Sequence, residues 1–448
     1  MSRVFKAIRA QNFRCFADTR KLDLGELNLF LGPNSAGKST LLDILLMLKQ
    51  TYDDPNPDNR LLTNGKLLEL GSFSDVVFKH DARSSLSLDV TFGEGPVQGV
   101  ARRSGTRRGL DYEKITPTSF SVDFNSTERA RRIYIKEFAF YRSDGEKSVS
   151  GAVSSLGRVK QWEANVPLPK RGVALEFYHF IPYVWLTKRS LRRDMPPPAW
   201  QFLEGLYALR EICETAFGGI IHFQPVRTPI KQFYLVTGES PTSVGPTGEY
   251  LLGVLYRDEK RRKPTRRNLL KHLDYWLDQK FGLIQNIVLE PITKTRTIYA
   301  LTGTDTKTRI RVNLASVGFG VSQVAPIIVQ GFLSPRNSCL LIEQPEIHLH
   351  PNAQADLGDL FIEFANQGKQ LLVETHSQYI LYRVLRRIAE RTFEASRLRV
   401  FFVARSAEGS RVEQLGMDQR GRISNWPKGF FEEGYEETAA TAEALTKA

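Results

Sequence analysis

Cysteine is scarce in this chain: three residues in 448, with Cys15, Cys213 and Cys339 far apart. An odd and scattered set excludes a disulfide framework and gives no zinc-binding spacing. Cys339 falls in an apolar strand pattern and reads as a small core residue. No apolar run approaches the ~20 residues that a membrane-spanning helix needs. The opening Met1-Ser2-Arg3-Val4-Phe5-Lys6 has no apolar segment of the signal-peptide kind, so the expectation is a cytoplasmic protein without membrane attachment. Internal repeats are missing, and so is any heptad run, which excludes a long coiled-coil arm. Beyond His376 there is no acidic cluster of the sort a Mg²⁺-dependent nuclease domain requires; Asp418 stands nearly alone.

What remains is ordinary globular composition, 41% hydrophobic and 25% charged, long enough to bury a large core in two or three lobes. The charge is less ordinary. Lys and Arg number 62 against 49 Asp and Glu, a formal +13, and such an excess favours polyanionic partners. The basic residues cluster at Arg102-Arg103, Arg107-Arg108, Arg129 with Arg131-Arg132, Lys188-Arg189 with Arg192-Arg193, and Lys260-Arg261-Arg262-Lys263-Pro264-Thr265-Arg266-Arg267. Each alone reads as a solvated face; together, in one central region, they point to DNA or another polyanion.

The most specific segment is Gly32-Pro33-Asn34-Ser35-Ala36-Gly37-Lys38-Ser39-Thr40, which fits the phosphate-loop pattern G-x-x-x-x-G-K-[ST] at every fixed position. Its context also fits. The run Leu27–Leu31 before it reads as a buried strand and Thr40–Leu48 after it as a helix. Glycines let backbone N–H groups line an anionic concavity, and the helix N-terminus adds its dipole there. Lys38 is expected on the β- and γ-phosphates of a nucleoside triphosphate, and the Ser39 hydroxyl on Mg²⁺. Far downstream, Cys339-Leu340-Leu341-Ile342-Glu343 reads as an apolar strand ending in an acid. It is expected to run beside the loop's own strand, with Glu343 holding a Mg²⁺-bound water. Just upstream, Ala315–Gln323 opens a helix read as Val324 to Phe332, with Pro326 in its first turns. The small residues before it make either a second anion nest or a capped turn. Gln370–Thr375 is another apolar strand, ending at His376, a candidate γ-phosphate sensor.

The chain is expected to be α/β, with a mixed sheet, an antiparallel β lobe and a central helical, basic insertion. Residues 1–66 form the first part of the ATPase core and 67–163 the β lobe, where Ser85–Phe92 and Arg132–Lys136 alternate with a period of two. Residues 164–286 are the insertion, with helices at Trp200–Thr215 and Asn268–Gln279. Residues 287–432 complete the core, where Ile287–Thr302 and Thr308–Val312 read as a strand pair. An Ala- and Glu-rich tail follows at 433–448.

This order of motifs resembles ABC-class ATPase heads, and most closely the branch that includes the OLD (overcoming lysogenization defect), RecF and SMC proteins. Asn12-Phe13-Arg14-Cys15-Phe16 resembles that branch's N-F-R-x-F opening, and Asn425–Phe431 resembles the W-P-x-G-F-F ending of a bacterial OLD-like subfamily. The likeness covers residues 1–50 and 310–432; in the centre it reduces to fragments such as Pro225-Val226-Arg227. The resemblance implies two heads dimerising head to tail and trapping ATP, with Gly32–Thr40 of one facing Ser316–Gln323 of the other. Within it, Ser316, Gly318 and Gly320 would meet nucleotide across the interface, Glu343 would serve the magnesium, and His376 the γ-phosphate. His348 and His350 spell a possible metal pair, or else a loop crossing the dimer interface.

Two departures from the family pattern matter. Where ABC heads place a catalytic glutamate, this chain has Gln344, and an amide cannot accept a proton from water. Glu346 is then the nearest base, and slow turnover is expected. The signature also lacks a literal L-S-G-G-Q. Of the glutamines a nucleotide-sensing loop would need, Gln50 and Gln98 are the candidates. Two functions follow from the resemblance: an ATPase regulating a separately encoded effector, a nuclease above all, in bacterial defence against phage; or a stand-alone RecF-like DNA-binding ATPase of repair or chromosome maintenance.

Overall fold

The computed structural model describes residues 3–96, 112–127, 132–168, 173–186, 195–236, 238, 241–260 and 268–427. The basic runs at 102–108, 188–193 and 261–267, together with Gln98, Arg129, Arg131 and the tail from 428, lie outside the described residues. Four strands, β1 (Phe5–Phe13), β2 (Phe16–Asp18), β3 (Leu22–Asp23) and β4 (Leu27–Leu31), precede helix α1 (Lys38–Tyr52). Then come β5 (Leu86–Phe92), β6 (Ser119–Ser126), β7 (Ile133–Tyr141), β8 (Lys147–Val153) and β9 (Val159–Ala164), and a separate hairpin of β10 (Val173–Tyr178) and β11 (Ile181–Leu186). Helix α2 (Pro197–Gly218) leads into β12 (Ile220–Phe223), β13 (Tyr234–Leu235), α3 (Leu251–Glu259) and α4 (Leu269–Tyr275). The chain continues through β14 (Ile284–Pro291), β15 (Ile298–Asp305), β16 (Arg311–Asn313), α5 (Phe319–Leu333), β17 (Cys339–Glu343) and α6 (Pro351–Asn366). It closes with β18 (Gln370–Glu374), α7 (Gln378–Ala389), β19 (Leu398–Ser406) and β20 (Gly409–Gln414).

The strands form a mixed α/β architecture of several sheets. Strands β1, β2, β3 and β5 to β9 make one antiparallel sheet, in the order β2-β1-β5-β6-β7-β8-β9 with β3 also on β1. In β5 the buried side chains are Leu86, Leu88, Val90 and Phe92, the alternation of a strand with one face on the core. The sheet also takes in β1 to β3, which the sequence reading assigned to the ATPase core. The second large sheet has the order β12-β17-β18-β4-β19-β20, parallel throughout except for the β19–β20 hairpin. Its strands β4, β17 and β18 are buried at every residue, because both faces are covered. Phe30, Leu341 and Leu372 point into the core shared with the antiparallel sheet, α1 and α2. Leu29, Leu340 and Val373 point into the core beneath α5, α6 and α7.

Three local expectations change. Strand β17 does not lie beside β4; β18 stands between them. Ile287–Thr302 is not one strand but parts of the hairpin β14–β15, with β16 added to β15. Helix α5 starts at Phe319, five residues before the expected start, so Pro326 lies inside it. Among the described residues no helix is long and apolar enough to cross a membrane.

The two large sheets are stitched at one buried amide. Gln370 Oε1 accepts from the backbone N–H groups of Val4 and Phe5 at 3.1 and 2.9 Å, and Nε2 donates to the carbonyls of Phe5 and Gly25, both at 2.8 Å. Replacing Gln370 by Leu keeps most of the volume but takes the side-chain partner from the Val4 and Phe5 N–H groups and the Phe5 carbonyl in a dry interior, while the Gly25 carbonyl keeps the Asn28 amide at 3.0 Å. With about 1–3 kcal/mol for each unsatisfied group, Gln370→Leu is expected to cost at least about 3 kcal/mol. Denaturant titration of the folded protein checks this.

Candidate nucleotide site

The loop between β4 and α1 is held by glycine. Gly32 and Gly37 have φ of 142° and 105°, and a Cβ on Gly32 would sit 2.2 Å from the Val403 carbonyl oxygen. Helix α1 begins at Lys38 itself, so the N–H groups of its first turn point into the loop. The Lys38 ammonium donates to the carbonyls of Gly32 at 3.0 Å and Pro33 at 2.8 Å. Burial lowers its pKa, and the charges of Glu374 and Glu346 oppose that shift. A cavity of about 500 Å³ opens on the loop, walled by Arg14, Cys15, Lys38, Ser39, Lys79 and Glu374 among others.

The parallel strands end at this loop, and their register decides which side chains arrive. Glu343 is paired with Glu374, and Glu374 in turn with Phe30 of the loop's strand. Glu374 is therefore the acid next to the phosphate loop, and Glu343 is one strand further away. Both the Ser39 hydroxyl and the Gln344 amide reach hydrogen-bonding distance of Glu374; burial nevertheless raises its pKa, with Glu343 adding to the rise. The Glu343 carboxylate lies 2.5 Å from His222 Nε2 on β12, and its carbonyl accepts from the buried Arg227 guanidinium at 2.9 Å. Burial lowers the Arg227 pKa to about 10, against the attraction of Glu346 and Glu343.

Gln344 turns away at φ 41°, and its N–H donates to the Glu374 carbonyl at 2.8 Å. Its side-chain amide, read from sequence as a lost base, serves here as a donor to a carboxylate. Glu346 Oε1 accepts from the His376 N–H at 2.6 Å, and burial raises the Glu346 pKa. The His376 imidazole is pushed down to about 4 by burial, with Lys38 contributing. The structure thus brings Lys38, Ser39, Glu343, Gln344, Glu346 and His376 to one sheet edge.

Ser316, Gly318 and Gly320 sit elsewhere. Ser316 ends a short helical turn, Gly318 caps α5, and a Cβ on Gly320 would lie 3.2 Å from the His348 carbonyl oxygen. Three expected side chains have structural contacts here. Gln50 donates to the Leu62 carbonyl and accepts from Leu68 N–H, which tethers a loop. His348 packs edge-on against Phe319, with ring centroids 4.8 Å apart, while His350 caps α6 by accepting from Asn352 N–H. Among the described residues no group of three or more His, Cys, Asp or Glu side chains could hold a metal ion.

Several residues escaped the sequence reading. Asp43 on α1 is paired with Arg14 at 2.7 Å, yet burial pushes its carboxyl up to about 7 despite Arg14, with Glu343 adding to the rise. Glu374, His222 and Arg227 were likewise missed. Gln224 follows directly after β12, whose Phe223 pairs with Ile342, so it stands level with Glu343. The run Ile220–Phe223 ending in Gln-Pro was the available signal. Around this edge, Glu346 Oε2, Glu374 Oε2, His376 Nε2, His222 Nδ1 and Arg227 Nε are buried without a partner. Buried polar atoms are paired in all but a small fraction of cases, so this concentration fits a polar ligand that completes the set.

A family model described as an AAA ATPase domain matches residues 5–142 and 258–381, and one described as a protein of unknown function, DUF3696, matches residues 394–440. No curated protein matches in sequence. Among solved structures, an SMC head bound to the C-winged helix domain of ScpA is 10% identical, with 93% of this chain and 98% of that chain covered and a TM-score of 0.42. The SMC head domain from Thermotoga maritima is 10% identical over 92% and 100%, at 0.38. An Smc head domain with an extended coiled coil, bound to the C-terminal domain of ScpA derived from Pyrococcus furiosus, is 11% identical over 93% and 97%, at 0.43.

The histidine shift has a consequence for pH. With a folded pKa of about 4 against an ordinary 6.5, the unfolded chain binds the extra proton between those values. Stability carried by neutral His376 is therefore complete above pH 6.5 and lost as pH falls toward about 4. His376→Gln should flatten that part of the stability profile relative to the unsubstituted protein, as measured by thermal unfolding at a series of pH values.

Proposed function

This chain belongs to the AAA ATPase domain family, and from that premise we propose that it hydrolyses ATP slowly as a pair of copies closed on the nucleotide. The observation that carries this reading is the convergence of Lys38 with the partnerless buried atoms of Glu346, Glu374 and His376 at the phosphate loop. Lys38 exchanges its two loop carbonyls for phosphate oxygens. Magnesium bound with the triphosphate neutralises phosphate charge, and the hard oxygen groups of Ser39, Glu343 and Glu374 would hold it directly or through water. Glu346 is the base: its raised pKa suits proton acceptance, and one carboxylate oxygen is free for a water. His376 remains neutral and orients that water. Gln344 keeps its hydrogen on Glu374 and takes no proton.

Closure needs a second copy because Ser316, on the short turn before α5, Gly318 at its cap and Gly320 in its first turn stand apart from the phosphate loop. In the layout this chain resembles, such a turn meets the nucleotide of the neighbour. The finer reading follows the OLD-like resemblance: ATP-bound closure, rather than flux, is the output, and it governs a separately encoded effector such as a nuclease in defence against phage. Co-purification with the product of a neighbouring gene tests that part.

For the site itself, Lys38→Ala should abolish ATP binding and ATP-dependent self-association together. Glu346→Gln should lower kcat by about 100-fold or more, the scale of a lost general base, while nucleotide affinity holds. Wild-type turnover should stay below about 10 s⁻¹. Steady-state hydrolysis, equilibrium nucleotide titration and sedimentation with and without ATP decide these outcomes.

A further inference from the structure

Glu343 is held at both ends by one short segment. From β12, His222 takes its carboxylate; five residues on, Arg227 takes its carbonyl. The same segment is strapped to α5. Arg227 N and Nη1 approach Gln323 Oε1 at 3.4 and 3.5 Å, Gln323 Nε2 donates back to the Arg227 carbonyl at 3.3 Å, and Ile230 N–H donates to Ser322 Oγ at 3.1 Å. Arg227 and Gln323 are both fully buried. A guanidinium so buried ordinarily pairs with a carboxylate; here its hydrogen bonds go to a main-chain carbonyl and an amide on a different element.

We propose that Arg227 is a positioning residue that couples α5 to the acidic strand, so that the setting of Glu343 through Glu346 follows the position of the Ser316–Gly320 turn. The coupling is mechanical. A shift of α5 moves Ser322 and Gln323, these drag the 227–230 strap, and the strap holds Glu343 by its carbonyl and, through His222, by its carboxylate. Hydrolysis in one copy would then depend on whether that copy's own turn has engaged a neighbour. This inference rests on the reading that the turn meets nucleotide across a dimer.

The test uses the full chain with Arg227→Lys, Gln323→Met and the double variant. Lys keeps the charge but cannot reach both partners; Met keeps the volume of Gln323 without its amide. Nucleotide affinity and ATP-dependent self-association should stay within about twofold of wild type, while kcat at saturating ATP falls at least about tenfold. The double variant should be no slower than the slower single, because both cut one link. A kcat within about twofold of wild type, losses that multiply, or a loss confined to affinity or melting temperature overturns the proposal. If Arg227→Lys does not fold, Gln323→Met decides by the same kcat criterion. Wild-type protein that stays monomeric with ATP overturns the dimer reading instead, whatever the variants do.

Discussion

Two carboxylates side by side govern this site. Parallel pairing of β17 with β18 sets Glu343 opposite Glu374, and paired strands lie about 4.8 Å apart. At that spacing and an effective dielectric of about 20, two full charges repel by on the order of 3 kcal/mol. Nothing in the strands relieves this, so relief comes from what surrounds their ends. His222 stands on one acid, Ser39 and Gln344 on the other, with Lys38 acting on Glu374 and Arg227 on Glu343. Even so, burial leaves Glu374, Glu346 and Asp43 with raised pKa values. The free chain thus holds strained negative charge where a divalent cation would be welcome and bare triphosphate would not.

The same constraint explains why the middle of the chain belongs to the core. Strand β12 comes from the central region, yet it forms the edge of the parallel sheet beside β17. It supplies the histidine that steadies Glu343, the glutamine level with it, and the strap bearing Arg227. Without β12, the acidic strand would have an open edge and a carboxylate with no donor.

What was legible in the sequence was local. The strand before the phosphate loop, the helix after it and the acid-tipped strand Cys339–Glu343 follow from apolar runs bounded by glycine, lysine or glutamate. Strand order was not legible, because parallel pairing is a non-local choice: placing β17 beside β4 hid Glu374, the acid nearest the loop. His222 carries no motif, Arg227 enters only through the fragment Pro225-Val226-Arg227 with no role attached, and the two lie 121 and 116 residues from Glu343. The start of α5 was misread for a physical reason. Proline is favoured in a first turn, but Pro326 sits inside the helix, where it fits against Gly248, whose missing Cβ would lie 2.4 Å from the ring.

Gln344 shows how far a motif departure can mislead when its surroundings are unknown. Read alone, an amide in place of a catalytic acid is a loss. In this structure, a carboxylate at 344 would face Glu374 from the position where the amide now donates, adding a third negative charge to a pair already in conflict. Relieving that conflict would require one of the three to stay protonated, which removes the gain of a second base. The proposed reading accordingly gives the base role to Glu346, which is set apart by its bond from the His376 N–H and is balanced by Arg227. The amide at 344 fits a site in which the charge of the strand-end acids, rather than the number of available bases, is the limiting quantity.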